Sequence, residues 1–161
     1  MSGRIGSAAT PLAEFSGFVA SFAFSPDRVR VAYWRPAAPQ SNTRELHIAN
    51  VDGSESILYD TTHLIEFLGW SPDSQHFVYT SGLGSGIQVQ LGNICAEPVP
   101  LASGFFPYNL SWLDDSRFLF VRDDSVGPEL YLGALNGAIN MLLQLGSRGS
   151  YDFVVIPRPE R

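Results

Sequence analysis

Three stretches of this chain alternate apolar and polar residues with a period of two, and each follows a short polar bend. Arg28-Val29-Arg30-Val31-Ala32-Tyr33-Trp34 follows Phe24-Ser25-Pro26-Asp27, and Gln75-His76-Phe77-Val78-Tyr79-Thr80 follows Trp70-Ser71-Pro72-Asp73. Arg117-Phe118-Leu119-Phe120-Val121 follows Trp112-Leu113-Asp114-Asp115. Side chains of a strand point to opposite faces in turn, so a period of two in aromatic and β-branched residues predicts strands. The aromatics that precede the bends, Phe24, Trp70 and Trp112, are 46 and 42 residues apart.

The recurrence extends past these runs. A further strand is expected in each unit at Glu45–Ala49, Ile87–Leu91 and Glu129–Gly133, and another at Ser56–Tyr59, Glu97–Leu101 and Ile139–Leu143. Asp52-Gly53 and Asn136-Gly137 lie 84 residues apart and predict type I′ hairpins, whose central residues take positive φ. Gly92-Asn93 is expected to do the same in the middle unit. Four antiparallel strands in a unit of about 42 residues are the signature of a β-propeller blade. No segment longer than ten residues keeps a 3.6-residue period, so the fold class is all-β, with almost no helix. The expected organisation is an N-terminal extension over 1–16, blades over about 17–61, 62–103 and 104–147, and a stub over 148–161. That stub includes Ser150–Ile156, which looks like the inner strand of another blade.

Trp70-Ser71-Pro72-Asp73-Ser74, followed by Phe77-Val78-Tyr79-Thr80-Ser81, resembles the Trp-Ser-Pro-Asp-Gly repeat of TolB-like propellers, over roughly residues 17–147. Related propellers form the N-terminal domains of prolyl oligopeptidase-type serine peptidases. Blade one departs from the pattern with Phe24 for Trp and Arg28 for Gly, and blade three with Leu113-Asp114 for Ser-Pro. The resemblance implies a protein-binding platform, with ligands meeting the central channel and the loops at its mouth. Propellers close with 4–8 blades. Three cannot close a six-bladed ring, so the chain is expected to be a fragment of a longer propeller or a half-ring that dimerises with a second copy. An open arc leaves blade faces that invite association.

Composition narrows the chemistry. The 161 residues are 45% hydrophobic and 16% charged, which suits an ordered domain with a core. Net charge is −6 and the ten basic residues are all Arg, scattered among sixteen carboxylates, which argues against nucleic acid as a partner. Without Lys there is neither Schiff-base chemistry nor a phosphate-loop Lys. Cys95 is alone, so no internal disulfide or cysteine metal cluster is expected. No apolar run approaches the length of a membrane helix and none at the N-terminus resembles a signal core. A cytoplasmic location follows, or a periplasmic one if the chain is a fragment.

Each motif has a structural reading beside the functional one. Asp27, Asp73 and Asp115 could bind a cation or partner, but their place between first and second strands is where a turn needs Pro to preset φ and Asp to accept backbone N–H groups. Trp70, Trp112 and Phe24 are expected between blades rather than under a ligand. His47, His63 and His76 lack metal-site spacing, so no metal or cofactor is expected. Gly82-Leu83-Gly84-Ser85-Gly86 fails as a nucleophile elbow because Leu83 stands where Gly is needed, and it fails as a dinucleotide loop because Ile87 does. Asp114-Asp115 and Asp123-Asp124 are adjacent and point to opposite faces of an extended chain. Asn109-Leu110-Ser111 matches a glycosylation sequon in an expected inner strand.

Geometry places any binding site on the connections between blades, which ring a propeller's mouth. These supply His63 and Glu66, then Phe105, Phe106 and Tyr108, then Arg148, Tyr151 and Asp152. The aromatics of the middle connection suit a protein-binding hot spot or a plug between blades. The expected function is a non-enzymatic module for protein–protein interaction, the alternative being the propeller part of a prolyl oligopeptidase-like hydrolase whose catalytic domain lies elsewhere.

Overall fold

The computed structural model describes residues 21–83, 86–104, 107–124 and 127–146. Its strands are β1 (Phe22–Phe24), β2 (Arg30–Pro36), β3 (Arg44–Asn50), β4 (Ile57–Thr62), β5 (Leu64–Trp70) and β6 (His76–Gly82). They continue as β7 (Gln88–Asn93), β8 (Ala96–Ser103), β9 (Pro107–Trp112), β10 (Arg117–Asp124), β11 (Gly127–Ala134) and β12 (Ile139–Gln144). Consecutive strands pair antiparallel into three sheets of four: β1–β4, β5–β8 and β9–β12. Pro98 and Pro100 lie in β8, an edge strand, where a missing N–H costs the ladder least. The expected all-β architecture of about three blades is what forms, and no α-helix occurs among the described residues.

The hairpins depart from expectation. Gly53 and Gly137 have φ of 84° and 83°, but Asp52 and Asn136 are not in the left-handed region, so neither pair is a type I′ turn. Gly53 N–H donates to Asn50 C=O and Asn50 N–H to Ser54 C=O, with the same pattern at Ala134–Ala138. This is the three-residue loop that ends in a left-handed Gly. Asp52 and Asn136 act through their side chains, which accept the N–H two residues on, Ser54 at 2.9 Å and Ala138 at 3.0 Å. In the middle blade the hairpin is at Ile94-Cys95, not Gly92-Asn93. Asn93 pairs with Ala96, and Gly92 sits inside β7 opposite Phe77.

That Gly is there for space. A Cβ on Gly92 would lie 2.3 Å from the Phe77 ring, and one on Gly133 would lie 2.4 Å from Phe118. Each ring lies flat over the partner strand's glycine, and both rings are fully buried. Blade one holds the same register with a smaller pair, Val31 opposite Ala49.

Packing between sheets follows one rule. One face of the first blade, with Ala32, Leu46 and Ile48, meets an aromatic face of the second made by Trp70, Phe77, Tyr79 and the partly buried Phe67. The second blade's opposite face, with Val78, Val89 and Leu91, meets Phe118, Phe120, Trp112 and Tyr131 of the third. Aliphatic residues thus receive aromatic ones at both junctions.

The bends Ser-Pro-Asp-X carry a cost where the resemblance expects Gly. Arg28 and Ser74 take φ of 60° and 62°, a region that burdens residues with a Cβ. Ser74 compensates, since its Oγ accepts the Asp27 N–H across the first junction at 3.0 Å. Arg28 has no such bond, so Arg28→Gly should raise stability by about 1 kcal/mol, roughly 2–4 °C in melting temperature. A calorimetric scan showing no rise would mean that the strain is relieved elsewhere.

Candidate functional site

Two places invited chemistry: the bend around Ser71, Asp73 and His76, and the connections at the blade ends. At the bend, Ser71 is fully buried. Its hydroxyl donates to the Asp73 carboxylate and accepts the His76 N–H at 2.9 Å. The Asp73 carboxylate also accepts the Gln75 N–H at 2.9 Å. The His76 ring has Nδ1 3.4 Å from Asp73 and Nε2 3.0 Å from the Asn93 amide. Both ring nitrogens are engaged away from Ser71, so the three residues do not form a nucleophile–base pair. Blade one repeats the bend: Ser25 Oγ donates to Asp27 at 2.6 Å and accepts the Arg30 N–H at 2.9 Å.

Blade three corrects the alignment. Leu113 N–H reaches Arg117 C=O, whereas Ser71 N–H reaches His76 C=O, so this bend is one residue shorter. Asp114, not Asp115, takes the structural role: it accepts Ser116 N–H and Oγ–H at 2.9 and 2.8 Å and pairs with Arg117 at 2.5 Å. Asp115 is exposed.

Electrostatics agrees with the bonding. The Arg117 guanidinium, then the Ser116 N–H and hydroxyl, hold the Asp114 carboxyl far below the usual range. Asp27 is lowered by the Ser25 hydroxyl and the Val29 N–H. For Asp73 partial burial pushes upward, but the Ser71 hydroxyl, the Gln75 N–H and His76 outweigh it and the net shift is down. A carboxylate with a lowered folded-state pKa adds stability above its unfolded value, which is lost as pH falls through the folded one. Asp73→Asn should therefore cost about 0.5–2 kcal/mol at pH 7, by analogy with lost caps. The gap to the unsubstituted chain should narrow below about pH 4. Urea unfolding at pH 7 and pH 3 reads both; an equal gap at the two pH values would mean that the charge contributes nothing.

At the blade ends, the expected loop Asp60–Leu64 is nearly absent. Asp60, Thr61 and Thr62 belong to β4 and Leu64 to β5, which leaves His63 alone between them. Thr62 ties the crossing down, with its Oγ1 3.1 Å from Gly82 N and 3.2 Å from Gly82 O. His63 and Glu66 are both exposed, the first at the crossing and the second two residues into β5. Tyr108 lies in β9. Phe105, Phe106, Arg148, Tyr151 and Asp152 lie outside the described residues.

The sequence reading passed over a cation at this end. Arg44 Nη1 donates to the Ile65 carbonyl at 3.2 Å, and its guanidinium lies 4.2 Å from the Trp34 ring centroid. The signal was the diagonal placement of Trp34 and Arg44 across β2 and β3, visible only once the register is known. Tyr79 was missed too: its hydroxyl donates to Asp60 at 2.9 Å across the first junction, and burial followed by that carboxylate pushes it far above the usual tyrosine range. Among the described residues no cluster of His, Cys, Asp or Glu has metal-binding geometry, and no helix is long and apolar enough to cross a membrane.

No family model matches the chain, nor does any curated protein. Solved structures do. A putative TolB from Agrobacterium tumefaciens superposes at a TM-score of 0.64 with 15% identity, over 81% of this chain and 49% of its own. TolB from Acinetobacter baumannii superposes at 0.57 with 16% identity, over 80% of this chain and 33% of its own. The β-propeller domain of the Trilobed protease from Pyrococcus furiosus, described as having an open velcro topology, superposes at 0.59 with 16% identity, over 78% and 43%. This chain therefore spans less than half the length of each. The sheets are blades of a β-propeller of the kind found in TolB-like proteins, about three in number.

Proposed function

We propose that this chain is a non-enzymatic propeller segment that binds a protein partner through the residues at the blade ends, with His63 and Glu66 as the described members of that surface. Phe105, Phe106, Tyr108, Arg148, Tyr151 and Asp152 complete the proposed surface by their place in the sequence. The observation that carries this reading is the commitment of Ser71, Asp73 and His76 to the bend, which leaves this group structural. His63 and Glu66, by contrast, are exposed and have no fold-building bond in view. The likeness to TolB supports a binding role.

The second reading is the propeller of a prolyl oligopeptidase-like hydrolase, favoured by the likeness to a protease's propeller domain. One experiment separates them. A photo-crosslinking residue at position 63 or 66, expressed in the source cells, should yield an adduct with one defined protein, while the same residue at Asn140 on an outer strand should not. The reading fails if both positions give the same adducts, or if the protein isolated from those cells carries a hydrolase domain that reacts with a serine-directed phosphonate.

A further inference from the structure

Each junction between blades has an inserting half and a receiving half, and the same positions fill them twice. On the inserting side, the aromatic that ends the inner strand sends its indole N–H back to the preceding blade. Trp70 Nε1 reaches Ala23 C=O at 3.0 Å, and Trp112 Nε1 reaches Gly69 C=O at 3.4 Å. Beside each Trp, the residue after the third strand packs on the same cluster, Ile94 at the first junction and Leu135 at the second. Ile94 and Leu135 are equivalent because their N–H groups bond Gln75 C=O and Ser116 C=O in the bends of their own blades. On the receiving side stand Ala32, Leu46 and Ile48, then Val78, Val89 and Leu91.

The first and third blades each carry one half without its counterpart. In blade one the inserting positions are Phe24 and Val51, whose N–H bonds Val29 C=O in the same way. Phe24 is 56% exposed where Trp70 is 8%, and Val51 is 45% exposed. They border an open cleft of about 690 Å³ together with Ser25, Pro26 and Arg28. In blade three the receiving positions are Leu119, Leu130 and Leu132, placed by registers that match Val78–Leu91 and Val89–Thr80. These three are half-buried, whereas Val78 and Val89 are fully buried. Leu143, opposite Leu130, is exposed.

We infer that a second copy of this chain occupies both faces, head to tail: Phe24 and Val51 of each copy insert against Leu119, Leu132 and Leu143 of the other. The two contacts are identical, and a head-to-tail contact that closes on itself gives a finite ring rather than a filament. Two copies bring six blades, within the range that closes. Three blades superposing on 49% of a putative TolB chain fit that count. Phe24 has no N–H to offer, so this junction lacks the bond that Trp70 makes and is the weakest of the ring. The mouth of the proposed binding surface would then be assembled from both copies. To that extent the inference rests on the proposed function, although the two fail separately.

The purified 161-residue chain is tested by light scattering after size exclusion from about 1 to 100 µM and by sedimentation velocity. A mass of twice 17.6 kDa is expected. Phe24→Asp and Leu143→Asp should each dissociate it, both being exposed positions whose substitution leaves the circular dichroism unchanged. An equimolar mixture of the two variants retains one intact junction and should recover dimer. Phe24→Trp, which restores the indole donor, should tighten association roughly fivefold to tenfold. A folded monomer across the range, a dimer indifferent to both Asp variants, or higher species without closure overturns the inference. Position-63 adducts with another protein on a monomeric chain would overturn it while leaving the proposed function standing.

Discussion

Gly92→Ala should destabilise the chain by roughly 3 kcal/mol, a large effect for one added methyl group. The added Cβ would lie 2.3 Å from Cε2 and 2.4 Å from Cζ of Phe77. Phe77 cannot swing away, because Tyr59, Trp70 and Phe67 surround it with centroid distances of 5.0, 5.1 and 5.4 Å. Gly92 has no positive φ, so the penalty is steric and should yield to a smaller partner. Phe77→Val alone opens a cavity and should itself cost a few kcal/mol. Joined with Gly92→Ala, it reproduces the Val31–Ala49 pair of the first blade. The double variant should therefore lose less than the sum of the single losses, with a coupling of about 1–3 kcal/mol. Urea unfolding of the four proteins measures it. Strict additivity would mean that Gly92 serves some purpose other than making room for the ring.

The Phe–Gly pairing also marks the limit of what the sequence made legible. The period of two in Val29–Trp34 and Phe118–Val121 carries the strand assignment directly, because a pleated backbone exposes alternate residues to one face. The repeat carries the architecture, since a unit of four strands cannot cover its own faces and must stack. Gly92, by contrast, looks like a turn residue beside Asn93. Its role depends on which residue of β6 lies opposite, and that register is fixed by the whole sheet. Phe77 and Phe118 are 41 residues apart, as are Gly92 and Gly133, so the co-spacing was present in the chain. Asp115 misled for a related reason: the third bend is one residue shorter, and counting along the repeat cannot detect a deletion inside a turn. The binding surface was legible least. Loops at blade ends follow from topology, but only His63 and Glu66 among the expected residues have described side chains, and exposure alone does not name what meets them.

Trp70→Ala should be the costliest single truncation, about 3–5 kcal/mol. The indole is 8% exposed, packs edge-on against Phe77 at 5.1 Å and tilted against Phe67 at 5.5 Å, and bonds Ala23 C=O across the junction. Its loss removes buried ring area from both blades and leaves a carbonyl that had a donor. Trp70→Phe separates the two contributions, since it keeps most of the ring and deletes the N–H; about 1 kcal/mol is expected. The equivalent Trp112→Phe should cost less, because its N–H lies 3.4 Å from Gly69 C=O rather than 3.0 Å, at the weak end of hydrogen bonding. Thermal unfolding of the three variants orders them. Should both Phe substitutions prove neutral while Trp70→Ala remains severe, the junctions are held by ring burial alone. Phe24 would then lose nothing by lacking an N–H, and Phe24→Trp should leave self-association no tighter.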